Sequence, residues 1–197
     1  MPATILLVRH AEKPLGDGPP HGVTIDGVLD PESLIPRGWQ RAGALVSLFA
    51  PGADPRAHPS VVPTPTHLFA SKIGADSSSR RPRETLEPLA ARLGLTIDTR
   101  FLKEQAVEAI DAIRQIDGVV LVSWEHRLIP AMAERIVGGP LDVPTVWPSD
   151  RYDLVWVFEP GRDGSRHLFR QVPQMLLAGD RPEPIGASPE VGDAVAP

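Results

Sequence analysis

Arg9 and His10 close the run Ile5-Leu6-Leu7-Val8-Arg9-His10-Ala11-Glu12-Lys13-Pro14. Arginine offers a planar fork of donors that matches phosphate oxygens. Histidine changes charge near neutral pH and can act as a nucleophile. The pair therefore suggests chemistry on a phosphoryl group. Two further clusters carry the same residue types. One is Ser71 with the turn that runs to Arg80-Arg81-Pro82-Arg83-Glu84-Thr85, and the other is Ser123-Trp124-Glu125-His126-Arg127. Histidines and arginines gathered in one place repel one another, so an anion normally balances them. Because the chain is net acidic, at −5, its anion site must be built locally from a few placed cations.

Each cluster follows an apolar run that reads as a strand. The first strand is expected over Thr4–Val8, a buried aliphatic stretch of the kind found in α/β sheets. His67–Ser71 predicts a second strand, Leu95–Asp98 a short one, and Val119–Val122 another fully apolar one. Open α/β sheets place their ligand crevice at such carboxyl ends. Helical patterns fall between the strands, at Pro36–Phe49, Arg83–Leu93, Glu104–Gln115 and Leu128–Val137. Trp39, Ala42, Leu45, Val46 and Phe49 share one face at helical spacing, and Pro36 suits a first turn. Gly94 and Gly138-Gly139 mark helix ends. Tyr152–Phe158 and Arg166–Val172 read as a closing hairpin around Pro160-Gly161-Arg162-Asp163-Gly164. The alternation predicts a three-layer αβα sandwich with a mainly parallel central sheet and an antiparallel edge. A long loop at 11–35 and a Pro-rich connection at 51–65 are placed to overhang the strand ends. The expected organisation is one domain over residues 1–177, with a disordered Pro-rich tail over 178–197.

Composition removes other function classes. A chain of 197 residues suits one well-cored domain, and it contains no cysteine, which excludes disulfides and thiolate chemistry. No stretch approaches the roughly 18 apolar residues of a membrane span, and the start lacks a secretory-signal pattern, so a cytoplasmic protein without a membrane partner is expected. The acidic balance argues against a nucleic-acid surface.

The three clusters, in this order, resemble the histidine phosphatase superfamily in its phosphoglycerate mutase-like branch. Val8-Arg9-His10-Ala11-Glu12 is similar to the Arg-His-Gly-Glu signature, with Ala11 where glycine is usual. Ser71 with Arg81-Pro82-Arg83-Glu84-Thr85 resembles the second segment, and Ser123-Trp124-Glu125-His126-Arg127-Leu128-Ile129-Pro130 resembles the segment with the second histidine. The resemblance spans about residues 4–158. It implies a phosphatase in which His10 attacks phosphorus to form a phosphohistidine. Arg9, Arg81 and His126 would bind the phosphoryl group, and a carboxylic acid would protonate the leaving oxygen and then activate water. Glu104 matches the family's position for that acid, and Glu12, Asp17 and Glu125 stand as alternatives. No metal or cofactor is implied. Small phosphate esters and phosphoproteins both fit as substrates. A phosphomutase and an anion-binding module without turnover are the alternative functions.

Plainer roles are expected elsewhere. His21, His58, His67 and His167 read as surface residues, and Trp39, Trp147 and Trp156 as packing residues. Glu84 and Thr85 open a helix, where capping is the default. Lys13 and Arg37 read equally well as substrate contacts or as solvated cations. Trp124-Glu125 ahead of His126 is bulkier than the residues usual there, which predicts a narrowed pocket.

Overall fold

The computed structural model describes residues 3–52, 61–74, 77–139, 143–161 and 166–186. Six strands form one sheet: β1 (Thr4–Arg9), β2 (His67–Ala70), β3 (Ile97–Asp98), β4 (Val119–Trp124), β5 (Leu154–Pro160) and β6 (His167–Pro173). Four helices accompany them: α1 (Pro36–Phe49), α2 (Arg81–Leu93), α3 (Ala106–Ile113) and α4 (Ile129–Val137). The strand order is β3-β2-β4-β1-β5-β6. β3, β2, β4 and β1 are parallel neighbours, and β5 runs antiparallel to both β1 and β6.

Period-two alternation splits the strand side chains between two cores. Ile5, Leu7, Phe69, Val120, Val122, Trp124, Trp156 and Phe158 pack with α3 and α4 on one face. Leu6, Val8, Leu68, Ala70, Leu121, Val155 and Val157 pack with α1 and α2 on the other. Strands buried on both faces must be continuously apolar, which explains why β1 and β4 look as they do in the sequence. The three-layer αβα sandwich with a mainly parallel sheet is therefore as expected, down to the bounds of α1.

The differences are local and have physical causes. β1 runs on to Arg9 and β4 to Trp124, because these two residues pair in register and their side chains are covered. Trp124 turns into the α3/α4 core and its indole Nε1 donates to the Lys103 carbonyl (3.0 Å), so it packs beneath the site instead of narrowing it. α2 begins at Arg81 and ends at Gly94, whose φ of 67° suits glycine. His167 is buried, with Nε2 at 2.9 Å from the Ala3 carbonyl, and is no surface residue.

The segment Ala178–Gly186 packs on the body instead of forming a loose tail. Asp180 takes two hydrogen bonds from the Arg41 guanidinium, at 2.7 and 3.1 Å. Arg181 N–H donates to Asp153 (2.7 Å), and Ile185 is buried and bonded through its backbone to Gln171. The expected tail beyond 186, residues 53–60 of the Pro-rich connection with His58, and the hairpin turn at 162–165 lie outside the described residues.

Candidate active site

The parallel pairing of β1 with β4 brings two clusters together directly. Arg9 is registered with Trp124, so His10 and Glu125 leave adjacent strands side by side, and His10 N–H extends the ladder to the Trp124 carbonyl (3.0 Å). β2 pairs with β4 on its other side, Ala70 opposite Ser123, which adds Ser71. The N-terminus of α2 then supplies Arg81. The result is a cleft of about 330 Å³ whose lining includes His10, Lys13, Arg81, Lys103, Glu125 and His126. Glu32, Ser71, Ser77–Ser79, Pro82 and Arg127 complete its walls.

His10 is 4% exposed, and its Nδ1 lies 2.8 Å from the Ala11 carbonyl. A carbonyl only accepts, so Nδ1 carries the proton and Nε2 keeps its lone pair. Burial holds the imidazole neutral down to about pH 3, and the charges of Arg9, Arg81 and Lys13 act in the same direction. His126 is likewise pushed down to about 4 by burial and then by Arg9.

Thr85 joins the strand end to α2. Its hydroxyl accepts from Ala11 N–H (2.8 Å) and donates to the Arg81 carbonyl (2.7 Å), so one side chain ties the His10 loop to the Arg81 backbone. Glu84 accepts from Ser33 Oγ (2.7 Å) and Leu34 N–H (2.9 Å), which fastens the 11–35 loop over α2. Neither residue caps the helix. Arg81 extends across that loop to the carbonyls of Ser33 and Pro31, with Glu32 Oε2 at 3.4 Å and Ser79 Oγ at 3.3 Å.

Arg9 is fully covered. Its Nη1 donates to the carbonyls of Ser149 (2.6 Å) and Arg151 (3.1 Å), and its Nη2 donates to the Tyr152 hydroxyl (3.0 Å). No carboxylate pairs with it among the described residues. Three buried side-chain polar atoms lack a hydrogen-bond partner among those residues: Arg9 Nε, Ser123 Oγ and His126 Nδ1. All three belong to the ends of β1 and β4. Unpaired donors of this kind are costly unless a ligand uses them.

The acid candidates separate. Glu104 is exposed, does not line the cleft, and sits beside Lys103 Nζ at 3.3 Å. Glu125 does line it, between Lys103 Nζ (3.4 Å) and Arg127 Nε (2.5 Å). Burial works to raise the Glu125 pKa, but Arg127 and Lys103 outweigh it and hold the carboxyl below the usual range. Glu12 is committed elsewhere, to a bidentate contact with Arg41 (2.8–3.1 Å) and to Arg37 Nε at 3.3 Å. Gly38 permits that approach, because a Cβ there would stand 2.5 Å from the Glu12 carbonyl oxygen. Asp17 lines a separate hollow with Pro14, His21 and Asp30.

Lys13 lines the cleft with no ion-pair partner among the described residues, which favours the ligand-contact reading over the solvated one. Burial lowers its pKa, and Arg81 and Arg9 lower it further. Sequence reasoning missed Glu32, Lys103 and Tyr152. Tyr152 lies 143 residues from Arg9 in the sequence, and only the placement of β5 against β1 brings the two together. The described residues contain no cluster of three or more acidic or histidine side chains able to hold a metal, and no helix long and apolar enough to cross a membrane.

No family model and no curated protein matches the sequence. Solved structures do. An Escherichia coli protein assigned as an alpha-ribazole-5'-P phosphatase superposes with a TM-score of 0.52 at 11% identity, over 88% of this chain and 97% of its own. Mycobacterial glucosyl-3-phosphoglycerate phosphatase, in complex with VO3, gives 0.49 at 13% identity over 86% and 97%. An Agrobacterium tumefaciens protein assigned as the phosphohistidine phosphatase SixA gives 0.43 at 18% identity over 87% and 97%. The chain thus shares the fold of that Escherichia coli protein, a three-layer αβα sandwich on a mainly parallel sheet.

Proposed function

We propose that this protein is a phosphatase that passes a phosphoryl group through His10. The observation that carries the reading is the His10 imidazole itself. It is buried and neutral, with Nδ1 bonded to the Ala11 carbonyl, inside a cleft lined by Lys13, Arg81, Lys103 and Arg127. A lone pair beside cations is what attack on a phosphate dianion requires. The Escherichia coli protein of like fold, itself assigned as a phosphatase, is consistent with it.

In the first step Nε2 attacks phosphorus, the P–N bond forms, and the bond to the leaving oxygen breaks with its electron pair. Arg81 and Lys13 at the cleft, with Arg9 beneath, offset the charge on the phosphoryl oxygens. His126 offers its unpartnered Nδ1 on the other side. In the second step water attacks phosphorus, the P–N bond breaks back to Nε2, and inorganic phosphate leaves.

Glu125 takes the proton of that water. It replaces Glu104 in this role because it lines the cleft and is held as a carboxylate by Arg127 and Lys103. A carboxyl kept ionised is available as a base and has no proton to give as an acid at neutral pH. The first step therefore favours esters whose leaving group departs readily as an anion, aryl phosphates ahead of alkyl ones. Both small phosphate esters and phosphoproteins fit the reading as substrates. The test is hydrolysis of an aryl phosphate by the parent chain and by His10→Ala. Activity in the parent and none in a folded His10→Ala variant is expected. Full activity in the variant overturns the reading.

A second reading, an anion-binding module without turnover, draws on the exposed position of Glu104. It predicts phosphate binding with no hydrolysis by either chain.

A further inference from the structure

Arg9 carries five N–H donors. Two on Nη1 go to the Ser149 and Arg151 carbonyls, and one on Nη2 goes to the Tyr152 hydroxyl. Nε–H and one Nη2–H remain, and Nε is buried without a partner. The guanidinium is thus clamped on three donors, with two left over, and lies covered beneath the cleft. Tyr152 supplies the part of the clamp that comes from a side chain. Its ring lies under the guanidinium, 3.7 Å from Cζ to the ring centroid, while its hydroxyl holds Nη2. The His10 ring centroid is 6.5 Å from that of Tyr152. One phenol therefore touches Arg9 by face and by edge and lies beside His10.

The seat itself is rigid. The Arg151 carbonyl accepts from Trp147 Nε1 (2.9 Å) as well as from Arg9, and Trp147 is buried against Trp156 with ring centroids 4.8 Å apart. The Arg151 side chain is held by Asp153 (2.7 Å), in a buried position, and by the Glu183 carbonyl (2.8 Å). With Nη1 held on two carbonyls of this seat, the Tyr152 side chain supplies the third contact that fixes the rotation of the guanidinium about its last bonds.

We propose that Tyr152 is a positioning residue for phosphoryl transfer, holding the Arg9 guanidinium so that its two remaining donors stay available to the phosphoryl oxygens. The inference rests on the phosphatase reading. A guanidinium free to turn would satisfy its buried Nε on protein carbonyls and lose alignment with the transferring group. A charge-assisted hydrogen bond of this kind also contributes more than a neutral one.

The experiment compares the parent, Tyr152→Phe, Arg9→Ala and the double variant, using aryl phosphate hydrolysis and inhibition by orthovanadate. Tyr152→Phe is expected to weaken orthovanadate inhibition and lower kcat/KM by about tenfold, the effect of one hydrogen bond to a charged group. In the Arg9→Ala background the same change is expected to have no further effect, because Tyr152 acts through Arg9. Parent-like inhibition of Tyr152→Phe, or additive losses in the double variant, overturns the proposal. Tyr152 is the chain's single tyrosine, so 3-fluorotyrosine labelling gives one ¹⁹F resonance and needs no substitution to fold. That resonance is expected to move when orthovanadate saturates the labelled parent, and an unmoved line overturns the proposal. Failure of the phosphatase reading is distinct, since it shows as an active His10→Ala chain or an inactive parent.

Discussion

Ending the chain after Leu177, or replacing Asp180 with alanine, removes a partner from one of the most covered charges in the molecule. Arg41 is 2% exposed and donates to Glu12, Gln174 and Asp180. Arg37 stands 3.3 Å from Glu12, so two cations and two carboxylates balance within one cluster. Burial alone would lower the Arg41 pKa, yet Asp180 and Glu12 raise it, which marks their attraction as the dominant influence. Asp180→Ala leaves a net positive charge in a covered site and also strands the N–H groups of Leu176 and Leu177. Breaking a buried pair in this way costs about 3–5 kcal/mol. At roughly 2–4 °C per kcal/mol for a chain of this size, Tm falls by about 6–20 °C. Thermal unfolding followed by circular dichroism reads the shift. Truncation after Leu177 is expected to cost at least as much, because the Glu183 carbonyl and the Ile185 backbone also leave Arg151 and Gln171. A truncated chain that melts within a degree or two of the parent refutes the claim that 178–186 is part of the folded body.

Glu125→Gln should slow turnover by about 10²-fold or more, the scale of a lost general base, while Glu104→Gln stays within a fewfold of the parent; steady-state hydrolysis separates the two. Thr85→Val leaves the Ala11 N–H and the Arg81 carbonyl without their shared hydroxyl, and should cost about 1–3 kcal/mol in denaturant unfolding, with Thr85→Ser restoring most of it. His10 and His126 titrate near 3 and 4, below the ordinary 6.5, so the unfolded chain binds more protons between those values and stability falls as pH drops through that window. In NMR titrations, the His10 and His126 imidazoles should keep their neutral-form shifts at pH 5, and loss of those signals in His10→Asn and His126→Asn assigns them; midpoints near 6.5 for these two would contradict the burial argument.

The fold was largely legible because burial dictates it. Strands covered on both faces must be aliphatic throughout, so β1 and β4 announce themselves, and α1 shows its apolar stripe plainly. Carboxyl ends of neighbouring parallel strands then gather His10 and Glu125 without further information. Other features lay beyond sequence patterns. Nothing local distinguishes Asp180 in a Pro-rich stretch from a solvated acid, since its partner Arg41 lies far away in the chain and meets it only after α1 is docked. Position in a motif points to Glu104, yet the Trp124–Lys103 contact fixes that turn with Lys103, not Glu104, facing the cleft. Tyr152 has no signature at all, because its role comes from β5 lying antiparallel beside β1.

The central claim is that His10 Nε2 carries the phosphoryl group. Rapid quenching of the parent chain with an aryl phosphate, followed by peptide mass spectrometry under alkaline conditions that preserve phosphohistidine, tests it most directly. The account predicts a phosphoryl adduct on His10 that accumulates in Glu125→Gln and is absent from His10→Ala. Hydrolysis with no adduct on His10 in the parent or in Glu125→Gln, or an adduct on another residue, would contradict it.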